Sequence, residues 1–218
     1  LLRRESGKAV SVKTAGGESV LHGALLPLLP QLTARLPNVS FELYNCRTEE
    51  ALARLKDGRV DIGLLMDPVN EGDLKTQVIG TVRLGVYVPE GVKPGAAKGD
   101  AWKLIRAFPI TALAESRSVG RLRALAEEKG IEVKTAVLGS SYAQVIDAAK
   151  SMRCLAIVPD FFVVLRRGGR FAELEPEKDF SRKLSLAWKP SNISLHSCGD
   201  MLIRELKQLI AKTLPRGE

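Results

Sequence analysis

The amino-acid sequence predicts an α/β fold, because segments with strand periodicity alternate with segments of helical periodicity along almost the whole chain. Residues 10–14 alternate apolar and polar side chains, which is typical of a half-buried strand. Residues 60–66 form a nearly continuous apolar run, interrupted by Asp61, and this pattern is typical of a central parallel strand covered on both faces.

In the first half of the chain, a helix over residues 19–36 follows the first strand. Pro27 and Pro30 are expected to kink this helix, because each removes a backbone donor. Thr48 is expected to cap the next helix, and Gly58 suits the left-handed position that ends it. The other strands of this half are predicted at residues 39–44, 60–66 and 76–88, the last of them broken by Gly80 and Gly85.

The second half repeats the alternation after a loop over residues 89–99 that is rich in proline and glycine. Helices are predicted at residues 101–107, 119–129, 142–152, 160–167 and 197–214. Strands are predicted at residues 109–112, 132–138, 154–158 and 183–188. No internal repeat of fixed period is visible in the 218 residues.

Composition indicates an ordinary folded protein of a reducing compartment. Hydrophobic residues make up 45% and charged residues 27% of the chain, and no apolar run reaches the length of about 18 residues that a membrane span needs. The three cysteines are odd in number and widely spaced, which argues against a disulfide framework. The first eight residues lack the pattern of a signal peptide. We therefore predict a cytoplasmic protein that does not contact a membrane.

The net charge of +8 is spread along the chain, and no basic run is longer than two residues, which argues against direct nucleic-acid binding by this part. His22 and His196 are the only histidines, and neither lies in a motif for metal binding or for a catalytic triad. Gly16-Gly17 lacks the remaining glycine of a dinucleotide fingerprint. The sequence therefore predicts no enzyme activity, no metal and no cofactor.

Four short motifs occur in order between residues 25 and 65. They are Leu25-Leu26-Pro27, Leu36-Pro37-Asn38-Val39, Glu49-Glu50-Ala51-Leu52 and Gly58-Arg59-Val60-Asp61-Ile62-Gly63. Their order and spacing resemble those of the effector-binding domain of LysR-type transcriptional regulators. Residues 148–159 and 183–189 carry weaker forms of later motifs of the same family.

This resemblance implies a periplasmic-binding-protein-like fold of type 2, with two Rossmann-like lobes joined by two crossover segments and a ligand cleft between them. Lobe I would comprise residues 10–84 and 187–218, and lobe II residues 85–186. Residues 1–9 would be the remnant of a linker helix. The helix at residues 19–36 and the strand at residues 39–44 would be the dimerisation elements.

The resemblance also implies a function as the ligand-sensing domain of a DNA-binding regulator. A small-molecule effector would close the cleft, and closure would act on an N-terminal winged helix-turn-helix that is absent from this chain and binds DNA. The partners would be the effector, a second copy in a homodimer or a tetramer, and DNA through the absent domain. Two alternatives with the same fold are a solute-binding protein of a transporter and, less favoured, an enzyme.

The candidate site follows from the rule that ligands of open α/β sheets bind beyond the carboxyl ends of the strands. Helices begin there, and their free N–H groups favour an anion such as a small carboxylate, which Arg47 or Arg117 would pair. The predicted effector-binding residues are Ala15, Gly16, Gly17, Ser19, Cys46, Arg47, Thr48 and Met66 in lobe I, and Ser116, Arg117, Ser118, Ser140, Ser141 and Pro159 in lobe II.

Each of these assignments has a simpler alternative. Ser19, Thr48 and Ser141 are residues that commonly cap helices whatever the function, whereas Ser140 is expected to be free of capping and is the preferred ligand residue. Arg117 is equally compatible with a solvated position. Cys46 lies where a thiolate is favoured, but no partner cysteine is near in sequence, so we expect a small residue in a turn.

Overall fold

A computed structural model describes residues 9–114, 116–162, 169–174 and 180–214 of the chain. The chain forms two compact units: unit 1 comprises Leu1–Thr81 and Lys183–Glu218, and unit 2 comprises Val82–Arg182. These boundaries lie a few residues before the expected lobe boundaries. The predicted linker-helix remnant at residues 1–9 lies outside the described residues except for Ala9, which is exposed.

The sheet of unit 1 is built on parallel strands. They are β1 (Val10–Gly16), β2 (Val39–Asn45) and β3 (Ile62–Met66). β1 pairs with β2 on one side and with β3 on the other, and β3 pairs in the antiparallel sense with β9 (Ser181–Trp188). β2 is the edge strand of this sheet, in which the strand order is β2-β1-β3-β9.

The predicted helix at residues 19–36 is divided into short pieces. They are α1 (Glu18–Val20), a π-helical stretch (Leu21–Leu25), a 3-10 turn (Leu26–Leu28) and α2 (Leu29–Arg35). Pro27 and Pro30 lie in the first turns of the last two pieces, where a helix does not need the missing N–H group. The expected disruption by the two prolines is therefore confirmed.

The other helices of unit 1 are α3 (Thr48–Lys56), α7 (Pro190–Ile193) and α8 (Gly199–Thr213). The residue that precedes α3 is Arg47, and Thr48 is the first helical residue, so the prediction that Thr48 caps this helix was wrong. Gly58 has a φ of +68°, which confirms the left-handed turn after α3. Leu52 and Leu55 of α3 pack against the sheet in the core of the unit.

The sheet of unit 2 contains β4 (Lys75–Pro89, which begins in unit 1), β5 (Ile110–Leu113), β6 (Thr135–Gly139), β7 (Leu155–Pro159) and β8 (Gly169–Glu173). β5 lies between β6 and β7 and is parallel to both, whereas β4 is antiparallel to β7 and β8. The alternation of strands and helices confirms the predicted α/β class.

Two details of unit 2 correct the sequence interpretation. β4 continues through Gly80 and Gly85 without a break. Gly85 is needed for close approach, because a Cβ atom there would lie 2.6 Å from the carbonyl oxygen of Ala172. β8 was not predicted, and most of the helix predicted at residues 160–167 lies outside the described residues.

The helices of unit 2 are α4 (Ala101–Ala107), α5 (Arg117–Glu128) and α6 (Tyr142–Met152). Leucines of α4 and α5 pack with Ile157 of β7 in one core. The Thr111 hydroxyl of β5 lies 2.8 Å from the Val145 carbonyl of α6. Because side chains alternate along a strand, α5 and α6 cover opposite faces of the sheet.

Within the described ranges, no helix combines the length and the apolar composition that a membrane span requires.

Candidate functional site

Each unit has one topological switch point at the carboxyl ends of its strands. In unit 1 the chain passes from β1 to β2 on one side and then to β3 on the other side of β1. In unit 2 it passes in the same way from β5 to β6 and then to β7. Ligands of open α/β sheets bind at such points, because the flanking loops diverge there and leave a crevice.

At the switch point of unit 1, the predicted residues are largely occupied by structural tasks. Ala15 is buried, and Gly16 allows β1 to approach β3, since a Cβ atom would lie 2.9 Å from the Leu64 carbonyl oxygen. The Gly17 carbonyl accepts the first N–H bonds of the helical segment. Ser19 lies inside the three-residue α1, so the prediction that it caps a helix was wrong. Met66, at the end of β3, is half-buried.

The residues after β2 lie one strand away from this switch point. Cys46 is buried, and burial raises the pKa of its thiol, an effect to which the charge of Glu50 adds. A thiol with a raised pKa is a weak nucleophile near neutral pH, so the expected preference for a thiolate was wrong. The three cysteines, Cys46, Cys154 and Cys198, are free.

The N-terminus of α3 is poorly suited to an anion. Glu49 and Glu50 lie in its first turn, where their negative charges already complement the helix dipole. Arg47 is exposed and immediately precedes the helix. A carboxylate ligand would meet two like charges here, which weakens the prediction that Arg47 and Thr48 bind one.

The N-terminus of α5, at the switch point of unit 2, is open. The preceding residue, Ser116, is extended, and its hydroxyl makes no capping hydrogen bond. The first intrahelical bond runs from Gly120 to the Ser116 carbonyl, so the N–H groups before it point out of the helix end. The first turn has no acidic residue and contains Arg117, which is exposed and forms no ion pair within the described ranges. Ser118 is half-buried beside it.

The N-terminus of α6, by contrast, is closed by its own side chains. The Ser141 hydroxyl accepts the Gln144 N–H at 3.3 Å, which confirms the predicted cap. The Gln144 side-chain oxygen in turn accepts the Ser140 N–H at 2.8 Å and the Ser140 hydroxyl at 3.0 Å. The expectation that the Ser140 hydroxyl is free was therefore wrong, although the residue is exposed.

Sequence reasoning placed Pro159 in the site and left out the next residue. Pro159 is buried in β7 and pairs with Leu84. Asp160 follows it and is only 4% exposed, and neither of its carboxylate oxygens has a hydrogen-bond partner among the described residues. Burial raises the pKa of Asp160 to about 6, although the backbone N–H groups of Arg83 and Phe161 and the charge of Arg83 act in the opposite direction. The available signal was an acid directly after a wholly buried strand.

Aromatic rings cluster beside Asp160. The ring centroid of Phe162 lies 5.1 Å from that of Phe161 and 5.3 Å from that of Tyr142, the first residue of α6. Burial raises the pKa of the Tyr142 hydroxyl to about 12, and the charge of Arg182 opposes this effect. Aromatic rings therefore lie next to the segment that carries Asp160, and a less polar environment strengthens any electrostatic interaction that its carboxylate makes.

Both histidines belong to unit 1. The His196 ring lies 3.1 Å from the Asp61 carboxylate, which also accepts the Lys13 N–H, and His22 is exposed. Within the described ranges, no group of three His, Cys, Asp or Glu side chains is placed to hold a metal ion. A surface cavity of about 400 Å³ in unit 1 is lined by Trp188, Arg204 and Lys207, among others. It lies near the amino end of β3, away from the switch point.

Comparison with known proteins gives a consistent family. The family model described as LysR substrate binding domain matches residues 11–197. The HTH-type transcriptional regulator ShiR of Corynebacterium glutamicum (strain R) is 35% identical over 86 residues, which are 38% of this chain and 29% of that regulator. The chain therefore matches less than two thirds of the length of this relative.

Solved structures share the fold at low sequence identity. The BenM effector binding domain with its effector benzoate has a TM-score of 0.67 and 17% identity, over 94% of each chain. The reduced regulatory domain of OxyR2 from Vibrio vulnificus has a TM-score of 0.67 and 16% identity, over 97% of this chain and 100% of that one. Full-length CbnR with its target DNA has a TM-score of 0.68 and 14% identity, over 95% and 71%. The predicted fold, periplasmic-binding-protein-like of type 2, is confirmed.

Proposed function

The chain belongs to the LysR substrate binding domain family, and from this premise we propose that its effector is a small carboxylate held at the N-terminus of α5. The observation that carries the proposal is the open end of this helix at the switch point of unit 2. The BenM domain, which holds benzoate, supports the carboxylate class by analogy.

Three features of α5 favour an anion. Ser116 does not cap its first N–H groups, and the helix dipole adds about 0.3–1 kcal/mol for a negative charge at an exposed N-terminus. Arg117 supplies a guanidinium that can bind a carboxylate by two parallel hydrogen bonds. A hydrogen bond to a charged group contributes about 1.5–3 kcal/mol. Together these terms are sufficient for selective binding of an anion over its neutral amide.

Thermal unfolding of the 218-residue chain tests the proposal. Benzoate, propionate and succinate are added separately, with benzamide and with sodium chloride at equal ionic strength as controls. We expect at least one carboxylate to raise the melting temperature, because a ligand that binds only the native state at 100 times its Kd adds about 2.7 kcal/mol to stability. Benzamide and chloride are expected to leave it unchanged.

A pair of arginine variants locates the site. Arg117→Gln is expected to weaken carboxylate binding at least tenfold, which is about 1.4 kcal/mol. Arg106→Gln removes an exposed arginine from the last turn of α4, which leads into the amino end of β5, and is expected to leave the affinity unchanged. Equal affinities of the wild type and Arg117→Gln, measured by calorimetry, would contradict the assignment to α5.

The proposal extends to the regulator as a whole. We propose that the domain acts in the cytoplasm, does not transform its effector, forms a homodimer and controls a winged helix-turn-helix that lies outside this chain. The effector would favour one of two conformations of the domain and so shift their populations. The similarity to CbnR, a full-length regulator bound to its target DNA, supports this part of the proposal.

A further inference from the structure

Asp160 carries a buried carboxyl for which the described residues provide no hydrogen-bond partner. Its side chain is 4% exposed, and both carboxylate oxygens lack hydrogen-bond partners in the part of the chain that the structure describes. An ionised carboxylate in an apolar environment is strongly disfavoured unless it is paired, and buried polar groups of native proteins are nearly always hydrogen-bonded. Such a residue is therefore either neutral or paired with a group other than the described residues.

Asp160 lies at the switch point of unit 2. Its N–H group donates to the Arg83 carbonyl at 2.8 Å, which continues the pairing of β7 with β4 by one residue. β7 is the parallel neighbour of β5, which leads into the open N-terminus of α5. Asp160 and α5 therefore follow the two strands that flank the crevice.

The side chain of Asp160 lies on the face of the sheet that α6 covers. Ala156 of β7 is in register with Thr111, whose hydroxyl reaches the Val145 carbonyl of α6. Asp160 is four residues after Ala156, and alternate residues of a strand share a face. The contact between the rings of Phe162 and Tyr142 joins the same segment to the start of α6.

Arg83, the described cation that acts on Asp160, already has a partner. The guanidinium of Arg83 lies 3.2 Å from the Glu173 carboxylate, and its charge acts on Asp160 without a hydrogen bond. Arg182 acts on Tyr142. The Asp160 carboxylate thus keeps its accepting capacity for a donor that enters the crevice.

We propose that the effector carries, besides its carboxylate, a hydrogen-bond-donating group, a hydroxyl or an ammonium, which Asp160 accepts. This inference rests on the proposed function and refines it: the carboxylate binds at α5, and the donor binds at Asp160. A simple carboxylate would leave Asp160 unpaired, so the site selects a hydroxy acid or an amino acid.

Matched probes on two scaffolds test the inference by calorimetry on the 218-residue chain. The first set is propionate, lactate and alanine, and the second is benzoate, 4-hydroxybenzoate and 4-(aminomethyl)benzoate. In the wild type, at least one probe with a donor is expected to bind at least tenfold more tightly than its parent carboxylate. Equal affinities within both sets would overturn the inference.

Two substitutions distinguish the donors. In Asp160→Leu, which removes every acceptor, the tenfold gain is expected to disappear while the affinity of the parent carboxylate stays within twofold of that of the wild type. In Asp160→Asn, which keeps a neutral acceptor, a gain due to an ammonium is expected to disappear and a gain due to a hydroxyl to be kept in part. A gain that persists in Asp160→Leu would refute the role of Asp160.

Two further readouts keep the test independent of folding and of the carboxylate proposal. Circular dichroism reports whether each variant is folded. The chemical shift of the 13Cγ resonance of Asp160 in the wild type is expected to change when the donor probe binds and to remain unchanged when its parent carboxylate binds. Carboxylate binding that depends on Arg117 but is insensitive to Asp160 would remove this inference alone. Absence of binding by any carboxylate would remove the proposed function and this inference with it.

Discussion

Ser140 and Asp160 show that a polar residue at a strand end is available to a ligand only if the chain has not already engaged it. The Ser140 hydroxyl is exposed, but it donates to Gln144. Asp160 is buried, yet its oxygens have no partner among the described residues. Exposure is therefore a poor guide to the function of these two residues, and hydrogen-bond satisfaction is a better one.

The buried carboxyl of Asp160 predicts a pH-dependent stability. Its pKa of about 6 in the folded chain lies above the ordinary aspartate value of 3.8, so between these values the folded chain holds a proton that the unfolded chain has released. The contribution of this group to the free energy of unfolding is therefore full below about pH 4 and is lost as the pH rises through 6, a change of at most about 3 kcal/mol.

Urea unfolding of the wild type and Asp160→Asn, at several pH values from 4 to 7.5, measures this contribution. Other carboxyl groups cancel in the comparison of the two proteins. The variant is expected to gain stability relative to the wild type as the pH rises, because asparagine stays neutral in the buried position. A difference that is constant with pH would show that the folded chain does not perturb this carboxyl.

At the scale of secondary structure, the helices α3, α5 and α6 begin in three different ways. α3 has two acids in its first turn, α5 has no cap and an arginine, and α6 is closed by Ser141 and Gln144. Each start contains a serine or a threonine, but only at α6 does the side chain of the preceding residue cap the first turn. Of these three described starts, that of α5 combines an uncapped first turn with an arginine and no acidic residue.

The serines before α5 and α6 form a matched pair for measurement. Ser141→Ala is expected to lower the free energy of unfolding by about 1 kcal/mol, because the Gln144 N–H loses its acceptor. Ser116→Ala is expected to change it by less than about 0.5 kcal/mol, since the Ser116 hydroxyl makes no capping bond. Urea denaturation compares the two variants. Equal losses would mean that α5 is capped as α6 is, and the anion site would lose its main support.

At the scale of the molecule, the proposed dimer has a defined candidate surface. β2 is the edge strand of unit 1, and an unpaired strand edge can add a partner. Residues of α2 such as Ala34 are exposed.

We expect light scattering to give twice the chain mass of 23.7 kDa. Ala34→Glu is expected to give a monomer, whereas Ala124→Glu, on the exposed face of α5, should leave the dimer intact. A monomeric wild type would contradict the proposed assembly.

The amino-acid sequence alone was sufficient for the fold class, for most helices and strands and for the family. These features depend on periodicity, on proline and glycine and on short motifs, which are local properties of the chain. The helix predicted at residues 101–107 agrees with α4, and the two prolines of residues 19–36 interrupt their helix as expected.

Only the tertiary structure decided which of the candidate residues remain open to a ligand. Ser19 and Thr48 are not caps, Ser140 is engaged by Gln144, and Asp160 is unpaired within the described ranges. Each of these outcomes depends on burial and on contacts with other segments, such as that of Asp160 with Arg83 of β4. A sequence pattern carries the preference of each residue, whereas the packing of distant segments determines whether that residue has a partner.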